Sequence, residues 1–297
     1  MSGRMRIVGL LAAVVGVGWW VWTCVVAEPP KAPLRQERDV VFSRVADETL
    51  RLDLAMPADG GGPYPAVVCL HGGGWVGGDR KQMTGTIEVL ARRGYVAVTP
   101  DYRLAPAHKF PACVEDCKEA VRWLRANAGA YRVDPARVGV VGLAAGGHLA
   151  CLLGVSEPAD GLEGTGDHAT QSSAVQAVVS FAGPTDLTSE ALWTRETLSR
   201  NLLPLLGGSP REKADLYRKA SPVHYRPRTS PPFLLIHGTA DPVVPINQAH
   251  ALADRLRASN SQVRLLVLEG EGHTWAGAAL LRSIDRMLSF LDETLKK

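Results

Sequence analysis

Acyl transfer through an enzyme nucleophile needs a nucleophilic side chain, a base to take its proton, an acid to orient the base, and N–H donors for the oxyanion. Residues of these types recur here at informative spacings. The first stretch is Gly142-Leu143-Ala144-Ala145-Gly146. The apolar run Val138 to Val141 before it reads as a buried strand, and a helix-forming run starts at His148. Strand, tight glycine turn, helix is the setting in which Gly-x-Ser-x-Gly holds a serine on a strained elbow. Glycines are needed there because side chains would collide with the neighbouring strand and helix. Position 144 is alanine. The frame for a nucleophile is therefore present without the oxygen that attacks.

Candidate partners follow later in the chain. The apolar run Pro232 to Ile236 leads into His237-Gly238-Thr239-Ala240-Asp241, and Val263 to Leu268 leads into Glu269-Gly270-Glu271-Gly272-His273. An Asp just past one strand and a His just past the next share the sheet edge where parallel sheets bind ligands. His71-Gly72-Gly73-Gly74 follows another apolar run, Ala66 to Leu70. The N–H groups of Gly73 and Gly74, with that of Ala145, form the candidate oxyanion hole. Each feature alone is commonplace: a glycine turn can be punctuation, and Asp before proline is usually a turn former. Their order, each after its own strand, makes Asp241 the acid and His273 the base. Asp186 is the alternative acid, after a less suitable strand. His108, His148, His168, His224, His237 and His250 read as structural or solvated. Ser156 lies beyond a helix and Ser180 inside a strand, so neither replaces the missing serine.

These residues need a scaffold of alternating elements. Strands are expected at Val40 to Val45, Leu50 to Leu54, Ala66 to Leu70, Tyr95 to Thr99, Val138 to Val141, Val175 to Phe181, Pro232 to Ile236 and Val263 to Leu268. Helices are expected at Thr84 to Arg93, Ala112 to Asn127, His148 to Val155, Asn247 to Ala258 and Leu280 to Leu295. This alternation predicts an α/β fold with a mainly parallel sheet of about eight strands and helices on both faces. Pro184 to Tyr225 interrupts it with irregular helical stretches and reads as a small lid.

With 297 residues, 46% of them hydrophobic, the chain can bury one large core. The 33 basic and 30 acidic residues are mixed, with a net charge of +3, which excludes an electrostatic nucleic-acid binder. Arg4 and Arg6 precede an apolar run from Ile7 to Val26 containing Trp19, Trp20 and Trp22. Residues 1–27 are expected to be a signal peptide or membrane anchor, 28–39 a linker, and 40–297 the exported domain. Cys24 is in a poor lipid-attachment context. Cys69, Cys113, Cys117 and Cys151 read as free buried thiols, and no metal-type Cys pair occurs. Neither metal nor cofactor is implied.

The motifs carry a resemblance. His71-Gly72-Gly73-Gly74-Trp75 with Gly78-Asp79-Arg80, Asp101-Tyr102-Arg103-Leu104-Ala105-Pro106, Gly146-Gly147-His148-Leu149-Ala150, His237-Gly238-x-x-Asp241-x-x-Val244-Pro245 and Gly272-His273 resemble the α/β-hydrolase superfamily. The chain is most similar there to exported esterases of the bifunctional feruloyl and acetyl-xylan esterase type, and more distantly to the hormone-sensitive-lipase group. The likeness runs from about Val40 to the C-terminus. It implies hydrolysis of short acyl esters or acylated sugars by Ser, Asp and His, with Trp75 against the substrate. Asp241 and His273 carry over; the nucleophile falls on Ala144 and does not. Alanine there fits either a deliberate replacement of serine or a natural loss that leaves an ester- or carbohydrate-binding protein.

Overall fold

The computed structural model describes residues 33–45, 47–227 and 229–297. The expected leader or anchor (1–27), and the linker up to residue 32, lie outside the described residues. Among those described, eight strands form one sheet in the order β1-β2-β4-β3-β5-β6-β7-β8. They are β1 (Leu34–Val45), β2 (Glu48–Pro57), β3 (Tyr64–Leu70), β4 (Val96–Pro100), β5 (Val133–Leu143), β6 (Ala177–Phe181), β7 (Phe233–Gly238) and β8 (Val263–Leu268). β1 and β2 pair antiparallel, as do β2 and β4; every pairing from β4 through β8 is parallel. The expected mainly parallel α/β sheet is therefore present.

The central strands are apolar throughout because both faces are covered. Ala66, Val68 and Leu70 of β3 face one core, which includes residues of α2 (Ala112–Ala126), α3 (Ala145–Val155) and α7 (Asn247–Ala258). Val67 and Cys69 face the other, built with α1 (Thr84–Arg92) and α8 (Gly277–Leu295). The period of two along each strand thus divides its side chains between two hydrophobic layers. The four cysteines in the described residues are free and buried. Burial pushes the Cys113 and Cys151 thiols up to about 12, so they are inert packing groups.

Two boundaries differ from expectation. β1 starts at Leu34, so the second half of the expected 28–39 linker is strand. This segment, Leu34-Arg35-Gln36-Glu37-Arg38, is an exposed edge paired to Ala55, Met56 and Pro57, and its charges hide it from an apolar-run criterion. α3 begins at Ala145, three residues before His148, and includes Gly146 and Gly147 in its first turn.

The lid region consists of short pieces: α4 (Arg195–Thr197), a π turn (Leu198–Leu202), α5 (Leu203–Leu206) and α6 (Ala214–Lys219). Its ends are stitched together. Val223 N–H donates to Thr185 O at 3.1 Å, and Leu187 N–H to Ser221 Oγ at 2.8 Å.

Candidate active site

The elbow is the junction of β5 and α3. Ala144 has φ 52° and ψ −114°, a conformation that costs a non-glycine residue about 1–3 kcal/mol. Its N–H donates to Phe181 O of the adjacent strand at 2.8 Å, and its carbonyl accepts from His148 N–H at 3.0 Å. The turn is held on both sides. A Cβ on Gly146 would lie 2.2 Å from Leu70 O and 2.5 Å from His71 O, so only glycine lets α3 pass this close to β3. Ala144 is half-buried, at the end of the strand where parallel sheets place their ligands. The backbone has the strand–turn–helix form expected of a nucleophile elbow, and residue 144 at its apex carries a methyl group.

Asp241 and His273 are brought together from loops after β7 and β8. His273 Nδ1–H donates to Asp241 Oδ2 at 2.7 Å. This fixes the tautomer: Nε2 is left as the proton acceptor. Asp241 Oδ1 accepts from the N–H groups of Val243 at 2.8 Å and Val244 at 2.9 Å. Burial works to raise the carboxyl, but hydrogen bonds from His237 and His273 and from the Val244 N–H outweigh it and hold Asp241 far below the usual carboxylate range. It is an ionised, immobile acceptor, suited to orienting an imidazole and stabilising its protonated form. The His273 side chain is 22% exposed and that of Asp241 is 0% exposed, so the imidazole reaches solvent and the carboxylate does not. Asp186, the alternative acid, accepts from Thr188 and lies 3.7 Å from His224 instead.

The oxyanion candidates lie on the turn after β3. Gly73 O accepts from Val76 N–H at 3.2 Å and Gly77 N–H at 3.1 Å, and Gly72 O accepts from His71 Nδ1–H at 2.7 Å. The N–H groups of Gly73, Gly74 and Ala145 make no hydrogen bond to another described residue. Ala145 is the first residue of α3, where helix N–H groups have no intrahelical partner and favour negative charge. Tyr102 fixes the turn from behind. Its ring stacks on His71 at 4.2 Å and its hydroxyl donates to His71 O at 2.9 Å.

Trp75 departs from the expected substrate contact. It is 3% exposed, and its indole N–H donates to His148 Nδ1 at 3.1 Å. A large apolar ring gains most when buried with its N–H satisfied. Trp75 therefore braces the oxyanion turn against α3. His148 is buried as expected of a structural histidine, and its Nε2–H reaches Ala220 O of the lid at 2.7 Å.

Two sets of residues have roles that spacing did not reveal. His237, 1% exposed, donates from Nε2 to Val244 O at 2.7 Å with Asp241 Oδ2 at 3.3 Å, so it supports the loop carrying the acid. Its place four residues before Asp241, at the end of a buried strand, was the available signal. Arg80 gathers Asp53, Asp101 and Asp39 beside the oxyanion turn, uniting the Gly78-Asp79-Arg80 and Asp101-Tyr102 motifs in one ionic cluster. His108, His168 and His224 have local partners, and His250 is exposed. Ser156 caps α3 through Leu152 O, and Ser180 is buried within β6.

Comparisons with known proteins bear on the family and the fold. The BD-FAE family model matches residues 52–256. Esterase LipC of Mycobacterium tuberculosis is 36% identical over 214 residues, covering 71% of this chain and 53% of that protein. Esterase LipQ of the same organism is 30% identical, covering 74% and 52%. The chain thus spans about half the length of these curated relatives. Among solved structures, a truncated carbohydrate esterase from gut microbiota superposes with a TM-score of 0.76 at 26% identity, covering 89% of this chain and 97% of that one. Butyrate-bound esterase 2 of Thermogutta terrifontis gives a TM-score of 0.72 at 30% identity, covering 89% and 94%. With a family match over most of its length and an eight-stranded sheet ending in an elbow, an acid–base pair and a glycine turn, this chain belongs to the BD-FAE family of α/β-hydrolase esterases.

Proposed function

We propose that the chain is a carboxylic ester hydrolase scaffold for short acyl or carbohydrate esters whose covalent route is closed at Ala144. The observation that carries this is the 2.7 Å His273–Asp241 bond, kept alongside an elbow strained at an alanine. In a working serine esterase, His273 Nε2 would take the serine proton while the N–H groups of Gly73, Gly74 and Ala145 hold the carbonyl oxygen as it becomes anionic. A methyl group has no proton to give and no lone pair to attack with. Losing the nucleophile costs on the order of 10⁶ in kcat in a comparable hydrolase, about 8 kcal/mol of barrier. The unmodified chain should accordingly turn over p-nitrophenyl acetate only at a residual rate and remain unlabelled by a phosphonate ester. Rapid turnover with phosphonate labelling would refute Ala144 as the nucleophile position.

A second reading is a non-catalytic binding protein for such esters. What favours it is the cost retained without a nucleophile: a strained elbow, a buried carboxylate and, among the described residues, N–H groups of Gly73, Gly74 and Ala145 without a bonding partner. Calorimetric titration with butyrate or acetylated xylo-oligosaccharides tests it, and binding that survives Ala144→Ser is expected. The carbohydrate esterase and the butyrate-bound esterase among the neighbours support short acyl groups and esters of carbohydrate hydroxyls as ligand classes.

The basic and apolar N-terminus supports export, with or without a retained anchor. Fractionation of the native host that found full-length protein in the soluble cytoplasm would overturn that reading. The 184–225 lid is proposed as one wall of the pocket, so trimming it should weaken ligand binding.

A further inference from the structure

Asn201 lies in the π turn of the lid, yet its partner is 127 residues earlier, on the oxyanion turn. Its Nδ2–H donates to Gly74 O at 3.2 Å. The carboxamide also lies against the glycine itself. Gly74 has φ +61°, and a Cβ there would sit 2.0 Å from Asn201 Nδ2 and 3.0 Å from Cγ. Only glycine admits both this backbone conformation and this neighbour. Short π segments inside helical stretches recur at functional sites.

Asn201 completes a pattern on the turn. The carbonyl of Gly72 is bound by His71, that of Gly73 by Val76 and Gly77, that of Gly74 by Asn201, and that of Trp75 by Ala105 N–H at 2.9 Å. Four successive carbonyls are each restrained. In a planar trans peptide, fixing the carbonyl fixes the N–H of the next residue on the opposite side. The bonds on Gly72 and Gly73 orient the Gly73 and Gly74 donors. The bond from Asn201 orients the next peptide, at the C-terminal side of Gly74. Three of these restraints come from within residues 71–105, and Asn201 alone brings in the lid. The lid touches the adjoining segment as well, since Leu205 O accepts from Phe110 N–H at 2.9 Å.

We propose that Asn201 is a positioning residue that ties the oxyanion turn to the lid: its amide anchors the C-terminal side of Gly74, so the turn that carries the Gly73 and Gly74 donors is fully restrained only while the lid is seated. This rests on the reading of that turn as the oxyanion hole. A seated lid would then be needed for transition-state stabilisation as well as for enclosing the ester. Preorganised donors act through such fixed geometry.

Two measurements test it. In the Ala144→Ser protein, Asn201→Leu keeps the bulk and removes the donor, while Asn201→Gln keeps an amide. Asn201→Leu should lower kcat about tenfold, less than the 10²–10³ for deleting a donor outright, with KM nearly unchanged. Asn201→Gln should recover much of that loss. A rise in KM alone, or kcat within about twofold of the parent, would show that Asn201 only lines the pocket. In the unmodified chain, Asn201→Leu should speed amide hydrogen exchange at Val76 and Gly77, whose N–H groups bond Gly73 O on this turn, about tenfold while α2 stays protected. Unchanged exchange there would overturn the proposal. This second readout needs no turnover, so it stands apart from any failure of the serine-restored chain to hydrolyse esters.

Discussion

Acidification should loosen one junction before the rest of the fold. His148 is fully buried between three parts of the site: Trp75 of the oxyanion turn donates to its Nδ1, its own Nε2–H donates to Ala220 of the lid, and it lies on α3. Protonation would place a hydrogen on Nδ1, facing the Trp75 N–H. Desolvation by burial lowers His148 from 6.5 to about 4, against the opposing pull of the Ala220 carbonyl. A histidine with a depressed folded pKa is protonated first in the unfolded chain. Its burial therefore lowers stability as pH falls below 6.5, with the full effect reached by about pH 4. That gap corresponds to about 3 kcal/mol, of which about 2 kcal/mol falls between pH 7 and 4.5. The assay is urea unfolding across that range for the parent and for His148→Gln. Other groups titrate equally in both proteins, so the difference between the two pH profiles isolates His148. The parent should lose about 2 kcal/mol more than the variant on going to pH 4.5. Parallel profiles would refute the placement of a neutral His148 at this junction.

Other perturbations follow from single contacts. Gly146→Ala would force α3 away from Leu70 O and His71 O and should cost about 3 kcal/mol, seen as a melting-temperature loss of about 6–10 °C. Glu163→Ala would strip the carboxylate from Lys118, whose side chain is 1% exposed, and should cost about 3 kcal/mol in denaturant unfolding. In the serine-restored protein, Asp241→Asn should lower kcat about 10⁴-fold, because an amide at this position favours the wrong His273 tautomer.

Much of the fold was legible because its central strands are buried on both faces. Each appears as a continuous apolar run, and the turn chemistry after β3, β5, β7 and β8 then locates the site edge. The start of β1 was not legible, since an edge strand bearing Arg35, Glu37 and Arg38 looks like a linker. The first turn of α3 was hidden by Gly146 and Gly147, which read as breakers until the approach of β3 explains them. Asp241 and His273 could be paired from order alone, because each directly follows a strand. Trp75 could not be placed: nothing in its neighbours distinguishes a ring facing substrate from one turned in toward His148, 73 residues away. Asn201 was silent for the same reason, its partner lying across the lid boundary.

The central claim is that the site lacks one oxygen atom and is otherwise intact. Its most direct measurement is hydrolysis of acetyl to butyryl aryl esters by Ala144→Ser, beside Ala144→Ser with His273→Ala. Serine on the existing elbow should raise kcat by several orders of magnitude over the parent, up to about 10⁶. The second substitution should remove that gain. A folded Ala144→Ser protein with no gain on any of these esters would contradict the claim, showing that the pocket has diverged beyond residue 144. A gain that survived His273→Ala would contradict the assignment of His273 as the base.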